Sequence, residues 1–159
     1  MQIGVISDTH DRVPMIDRAL AFFAERRVEA VVHAGDLVAP FAAKRFVGLD
    51  VPLYITYGNN DGERAGLKSL LSQIQDGPLV VDLAGRKILL HHFIDWCTDE
   101  QIEAADVVVT GHTHEVVNEL RGRKRMLNPG ECCGWLSNRC TVAVLDTSDL
   151  SAEIVELNS

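Results

Sequence analysis

Residues 4–10, GVISDTH, carry an apolar stretch straight into a carboxylate and an imidazole two positions apart. The same ending recurs along the chain: apolar runs close on Asp36, on Asn59 with Asn60 and Asp61, on His91 and His92, and on His112 and His114. Asp and Asn offer oxygen and neutral His offers nitrogen, a donor set suited to Mn²⁺, Fe²⁺, Zn²⁺, Ni²⁺ or Co²⁺. Asp8, His10, Asp36, Asn59, His91, His112 and His114 make seven candidate ligands. That is too many for one ion and suits two ions sharing a bridging carboxylate, about 3.5–4 Å apart. In Asp8-x-His10 and His112-x-His114, residues two apart in extended chain point the same way, so each pair can reach one cavity. The cysteines, Cys97, Cys132, Cys133 and Cys140, lack CxxC spacing, which counts against a structural zinc–thiolate site.

Positioning these side chains falls to alternating strands and helices. Residues 1–7 read as a buried strand. Pro14 opens a helical pattern, with Ile16, Leu20 and Phe23 at helical spacing, up to about residue 27. Residues 30–33 give a second strand, 40–47 a helix, 51–61 a third strand running into a turn, and 67–74 another helix. That order predicts parallel strands joined by right-handed crossovers. The second half changes character. Residues 77–93 read as two strands turning at Ala84-Gly85, and 105–115 as a buried strand with a polar end. Residues 116–130 and 141–157 read as hairpins turning near Gly122 and Ser148. A parallel half followed by an antiparallel half predicts two sheets packed face to face, with helices outside. Strand ends in such folds gather at one edge, where ligands bind, so the polar endings would share one site.

Together, DTH at 8–10, GD at 35–36, GNND at 58–61, a His at 91, GHTH at 111–114 and NPG at 128–130 resemble the calcineurin-like metallophosphoesterase superfamily in order and approximate spacing. The short chain resembles its small single-domain bacterial and archaeal phosphodiesterases; the small retromer subunit shares their fold. The resemblance implies one domain over residues 1–159 and an α/β fold, a four-layer α-β-β-α sandwich with two mixed sheets. It also implies that Asp8, His10 and His114 hold a first metal, that Asn59, His91 and His112 hold a second, and that Asp36 bridges them. The implied enzyme is a dinuclear metal-dependent phosphodiesterase, hydrolysing phosphate diesters through a metal-activated hydroxide, with manganese foremost among its divalent ions. Two departures bear on its chemistry. The family often reads Gly-Asn-His-Asp or Gly-Asn-His-Glu in its third motif, and Asn60 stands here at the His position. An amide there can donate a hydrogen bond to phosphate but cannot deliver a proton at neutral pH, which favours good leaving groups. Where many members read His-Gly-His, HHF at 91–93 keeps the ligand position at His91 and moves the second imidazole to His92. A phosphomonoesterase acting on nucleotides or phosphoproteins, and a non-catalytic scaffold of the same fold, are the competing readings; the intact ligand set counts against the scaffold.

The totals set the frame. The chain has 159 residues, 47% hydrophobic and 24% charged, which fits one ordinary globular domain. A net charge of -8 argues against a nucleic-acid backbone or an anionic membrane as main partner. A small phosphoester remains the expected partner once bound cations reverse the local field, and a homo-oligomer is left open. The basic run at 121–125 reads as a solvated hairpin tip. No apolar run nears the ~20 residues that span a bilayer, and unpaired cysteines fit a reducing cytoplasm. Asp61 reads as a loop tether or a residue that orients a ligand, His33 as structural, and Trp96 and Trp135 as core residues, walls of a substrate cleft or an oligomer contact.

Overall fold

The protein, a computed structural model describing residues 1–158, builds two five-stranded sheets. The elements, in order, are β1 (Gln2–Ile6), α1 (Val13–Glu25), β2 (Ala30–His33), α2 (Pro40–Ala43), β3 (Leu53–Ile55), α3 (Arg64–Leu70), β4 (Leu79–Leu83), β5 (Arg86–Leu90), α4 (Asp99–Glu103), β6 (Val107–Val109), β7 (Val116–Arg121), β8 (Lys124–Pro129), β9 (Thr141–Asp146) and β10 (Ala152–Glu156). The first sheet runs β10-β9-β1-β2-β3 and the second β4-β5-β6-β8-β7. Both are mixed. In the first, β1, β2 and β3 are parallel and β9 is antiparallel to β1. In the second, β5, β6 and β8 are parallel, with β4 and β7 antiparallel at the edges.

This corrects the expected division into a parallel and an antiparallel half. The last hairpin crosses back to the first sheet because Thr141–Leu145 of β9 are buried on both faces and need a central place. Beside β1, Ala143 and Leu145 face the second sheet while Val142 and Val144 face the helices.

Three apolar clusters define four layers, α-β-β-α. One joins Met15, Ile16, Ala19 and Phe23 of α1 to Ile6, Val31 and Ile55 of the first sheet. Burying a side chain such as Phe23 contributes about 1.5–3 kcal/mol. A second, between the sheets, joins Ile3, Val5 and Val32 to Ile88, Leu90, Val107 and Val109. The third, on the outer face of the second sheet, packs Leu89, Val108 and Met126 against Ala105 and Ile102.

The helices depart from their expected bounds for visible reasons. The stretch from Pro40 is an α-turn that tightens into a 3₁₀ turn at Lys44–Phe46. α3 starts earlier and ends at Leu70, while Leu71 and Ile74 continue the apolar spacing as buried turn residues. α4 was not expected; its signal is the capping box of Thr98 and Gln101. No helix of the described residues is long and apolar enough to cross a membrane.

Candidate metal centre

Parallel pairing brings the ends of β1, β2, β3, β5, β6 and β8 to one edge of the two sheets. There the backbone turns sharply. Asp8, His10, Asp36, His112 and His114 all have positive φ, from 36 to 71°. Non-glycine residues pay for that conformation and keep it only where surrounding contacts fix it. The fixing bonds are on hand: Asp8 N–H donates to Gly35 O at 3.1 Å, His10 N–H to Asp36 O at 3.1 Å and Gly111 N–H to His92 O at 3.0 Å. The loops also approach too closely for a side chain at two glycines. A Cβ on Gly58 would collide with Asp36 Oδ1, and one on Gly111 with Ser7 Oγ.

Asp8, His10, His114 and Asp36 form one half of the cluster. Asp8 is fully buried, and its Oδ2 accepts from Ser7 Oγ at 2.7 Å and His112 N–H at 3.1 Å. Its Oδ1 instead faces His114 Nε2 at 3.3 Å and His10 Nε2 at 3.8 Å, without a hydrogen bond. His10 Nε2 lies 3.4 Å from Asp36 Oδ2 and is likewise unpartnered. Asp8 is the main influence raising the His10 pKa, against burial and with help from Asp36.

Asn59, His92 and His112 form the other half, again with Asp36. Asn59 Oδ1 sits 2.9 Å from His92 Nε2 and 2.8 Å from His112 Nδ1. Asp36 Oδ2 is 3.4 Å from His92 Nε2. The His92 Nδ1–H donates to Ala34 O at 2.7 Å, so Nε2 faces the cluster. It donates to Asn59 and Asp36 when the ring is protonated, which Asp36 favours against burial, and offers a lone pair when the ring is neutral. The structure does not bring His91 here, a correction to the sequence expectation. His91 Nδ1 accepts from Phe93 N–H at 3.2 Å, and its ring lies edge-on to Trp96 and against Gly77. The reason is strand alternation. Ile88 and Leu90 face the other sheet, so His92 continues that face, while His91 shares the Leu89 side.

Asp36 is held from several sides. Asn60 N–H and Nδ2 donate to its Oδ1 and Oδ2 at 2.8 and 2.7 Å. The amide expected to serve the substrate is therefore engaged with Asp36. Burial raises the Asp36 pKa, but His92 and both Asn60 bonds hold it well below the usual carboxylate range. Asp61 accepts from Asp36 N–H at 3.1 Å, Gly58 N–H at 2.6 Å and Val38 N–H at 2.6 Å, tying two loops together. His33 is buried beneath the first half, accepting from Gly35 N–H at 3.1 Å, and burial lowers its pKa to about 4.

Sequence reasoning missed Glu131, although it directly follows the NPG motif. It is fully buried, and its Oε2 accepts from His114 Nδ1–H at 2.8 Å. Burial raises its pKa, yet bonds from Ser137, Cys133 and His114 bring it down to about 2. Asn128 of the same motif donates to Gly111 O at 2.9 Å and so pins the loop that bears His112 and His114. Cys133 also comes close: its Sγ and the nitrogens of His10 and His114 lie within 4.8 Å of one another. The thiol keeps its proton, because burial raises its pKa and it donates to Glu131 Oε2 at 3.1 Å.

Comparison with known proteins matches residues 1–150 to the model of the calcineurin-like phosphoesterase superfamily domain. The chain belongs to that superfamily. Within it, a phosphodiesterase of Methanocaldococcus jannaschii is 40% identical over 155 residues, covering 92% of this chain and 93% of its own. The solved structure of an archaeal phosphodiesterase superposes with a TM-score of 0.89 at 38% identity, over 99% of this chain and all (100%) of its own. A phosphoesterase from E. coli gives a TM-score of 0.77 at 25% identity, with 99 and 100% coverage. Membership makes the chain a metal-dependent phosphoesterase, and its residues fit such ions. Three buried side-chain polar atoms lack a partner among the described residues, and two of them, Asp8 Oδ1 and His10 Nε2, lie inside this cluster. Buried polar atoms left without hydrogen-bond partners are costly, and a cation among them would remove that cost.

Proposed function

We propose that the chain is a phosphodiesterase using two divalent cations, manganese foremost. Asp8, His10 and His114 would hold one cation, Asn59, His92 and His112 the other, and Asp36 would bridge them. The observation that carries this reading is the pair of buried polar atoms without partners, Asp8 Oδ1 and His10 Nε2, with Asp36 3.4 Å from both His10 and His92. Bound there, two such ions supply the positive charge for phosphate oxygens and acidify a water at neutral pH.

The chain's own residues prepare that role. Asn60 and Asp61 fix Asp36 from the side chain and the backbone, so a shared carboxylate cannot swing toward one half. Asn60 therefore acts through Asp36, as a positioning residue, and supplies no proton to the leaving group. That favours diesters whose leaving oxygen departs as a stable anion. A groove of about 220 Å³ beside His112, lined by Phe93, Thr113, Val117 and Asn128 among others, offers room for one substituent of a diester.

Metal-free protein given Mn²⁺ should cleave bis(4-nitrophenyl) phosphate faster than 4-nitrophenyl phosphate. Asp36→Ala should lower the diester rate by about 1000-fold, the scale on which pre-organised charge acts. A faster monoester rate would make the enzyme a phosphomonoesterase, and an Asp36→Ala variant with unchanged turnover would remove the shared-carboxylate mechanism.

A further inference from the structure

Glu131 draws together groups that are otherwise far apart in role. Its carboxylate is fully buried at the end of β8. Oε2 accepts from His114 Nδ1–H at 2.8 Å, Trp135 N–H at 2.9 Å and Cys133 Sγ–H at 3.1 Å. Oε1 accepts from Leu136 N–H at 2.9 Å and Ser137 N–H at 2.5 Å. An ionised carboxylate only accepts, so the His114 hydrogen sits on Nδ1. The Nε2 lone pair is then presented to Asp8 Oδ1, 3.3 Å away.

The three backbone N–H groups belong to a surface loop. Trp135 (58% exposed) and Leu136 (73% exposed) are its tip. The indole Nε1–H reaches His10 O at 3.4 Å, and the Arg12 guanidinium stacks over the ring at 4.8 Å while Arg12 Nη1 bonds Cys133 O. One end of the loop thus depends on Glu131, and its tip rests on the backbone of His10.

We propose that Glu131 is a positioning residue that couples the Asp8–His10–His114 half of the site to the Trp135 rim, aiming His114 Nε2 inward and ordering residues 135–137 with the same carboxylate. This rests on the two-cation reading above. Carboxylates behind metal-bound imidazoles typically tune affinity about 10–100-fold. The second cation half, which Glu131 does not touch, should be unaffected.

The test is Mn²⁺ titration of metal-free protein by calorimetry, together with the Trp135 emission maximum in a Trp96→Phe background. Wild type should take up two ions. Glu131→Gln should weaken one of them about 10–100-fold, leave the other unchanged, and red-shift Trp135. Glu131→Asp should fall between. Two wild-type affinities and an unshifted emission in Glu131→Gln would overturn the proposal alone, whereas a wild-type chain that binds no Mn²⁺ would overturn the two-cation reading beneath it. Should Glu131→Gln fail to fold, long-range ¹⁵N–¹H spectra of metal-free wild type decide the matter. An Nδ1-protonated His114 supports the positioning role, and an Nε2-protonated one overturns it.

Discussion

Asp8 and His114 are gripped from behind, by Ser7 and the His112 N–H on one and by Glu131 on the other, and their remaining atoms face each other without bonds. Asn59 and His112, across Asp36, instead stand toward solvent and bond each other, with His92 completing the triangle. On the proposed two-cation reading, the first half would be pre-formed for its cation, whereas the second, where Asn59 Oδ1 already takes up His92 and His112, would have to give up internal bonds to accept one. Similar donor types therefore need not give similar sites; what each donor bonds on its far side decides how ready it is.

The adjacent imidazoles offer the sharpest way to break this division. His92→Ala should lower kcat/KM for an aryl diester by about 100-fold or more, because it removes the Nε2 donor that would hold the second cation beside Asp36. His91→Ala should leave the rate within about threefold and show instead as a stability loss of about 1–3 kcal/mol in urea unfolding, as for a buried packed side chain. Reversed results would restore His91 as the ligand and dissolve the second half as described.

Asn60→Ala is expected to act less strongly, lowering kcat about tenfold through one lost hydrogen bond to Asp36. The pH profile should keep its shape, since no proton donor is removed. A lost basic-limb pKa in the variant would make Asn60's loop part of the acid–base chemistry.

The smallest effect concerns His33, under the first half. Its folded pKa, about 4, is below the ordinary value. Between about pH 6.5 and 4 the unfolded chain therefore binds a proton that the folded chain refuses, so stability falls as pH drops through that window. The loss from this group should reach roughly 1 kcal/mol at pH 5.5. Urea unfolding at pH 7.5 and 5.5 should show a shallower decline in His33→Gln; equal slopes would mean His33 is charged in the fold.

Much of this was legible in the sequence because the site lies where strands end. Strands are readable as apolar runs, and Asp8, Asp36, Asn59 and His112 follow theirs directly. The hairpin at Ala84-Gly85 was legible too, both residues having positive φ. His91 was misplaced because Ile88, Leu89 and Leu90 are all apolar and all fully buried, so alternation leaves no trace in residue type. Which of two neighbouring imidazoles faces inward then depends on which sheet face each continues. Glu131 escaped for another reason. Besides His114 and Cys133, its partners are the backbone N–H groups of residues 135–137, and backbone donors leave no mark in a sequence. The return of β9 and β10 to the first sheet is a long-range pairing of the same kind.

Anomalous diffraction from crystals soaked in Mn²⁺ would test the paired site most directly. Two peaks are predicted, one among Asp8, His10, Asp36 and His114 and one among Asp36, Asn59, His92 and His112, with Asp36 touching both and the first peak filling at lower Mn²⁺. A single peak, or a second ion bound by His91 rather than His92, would contradict it.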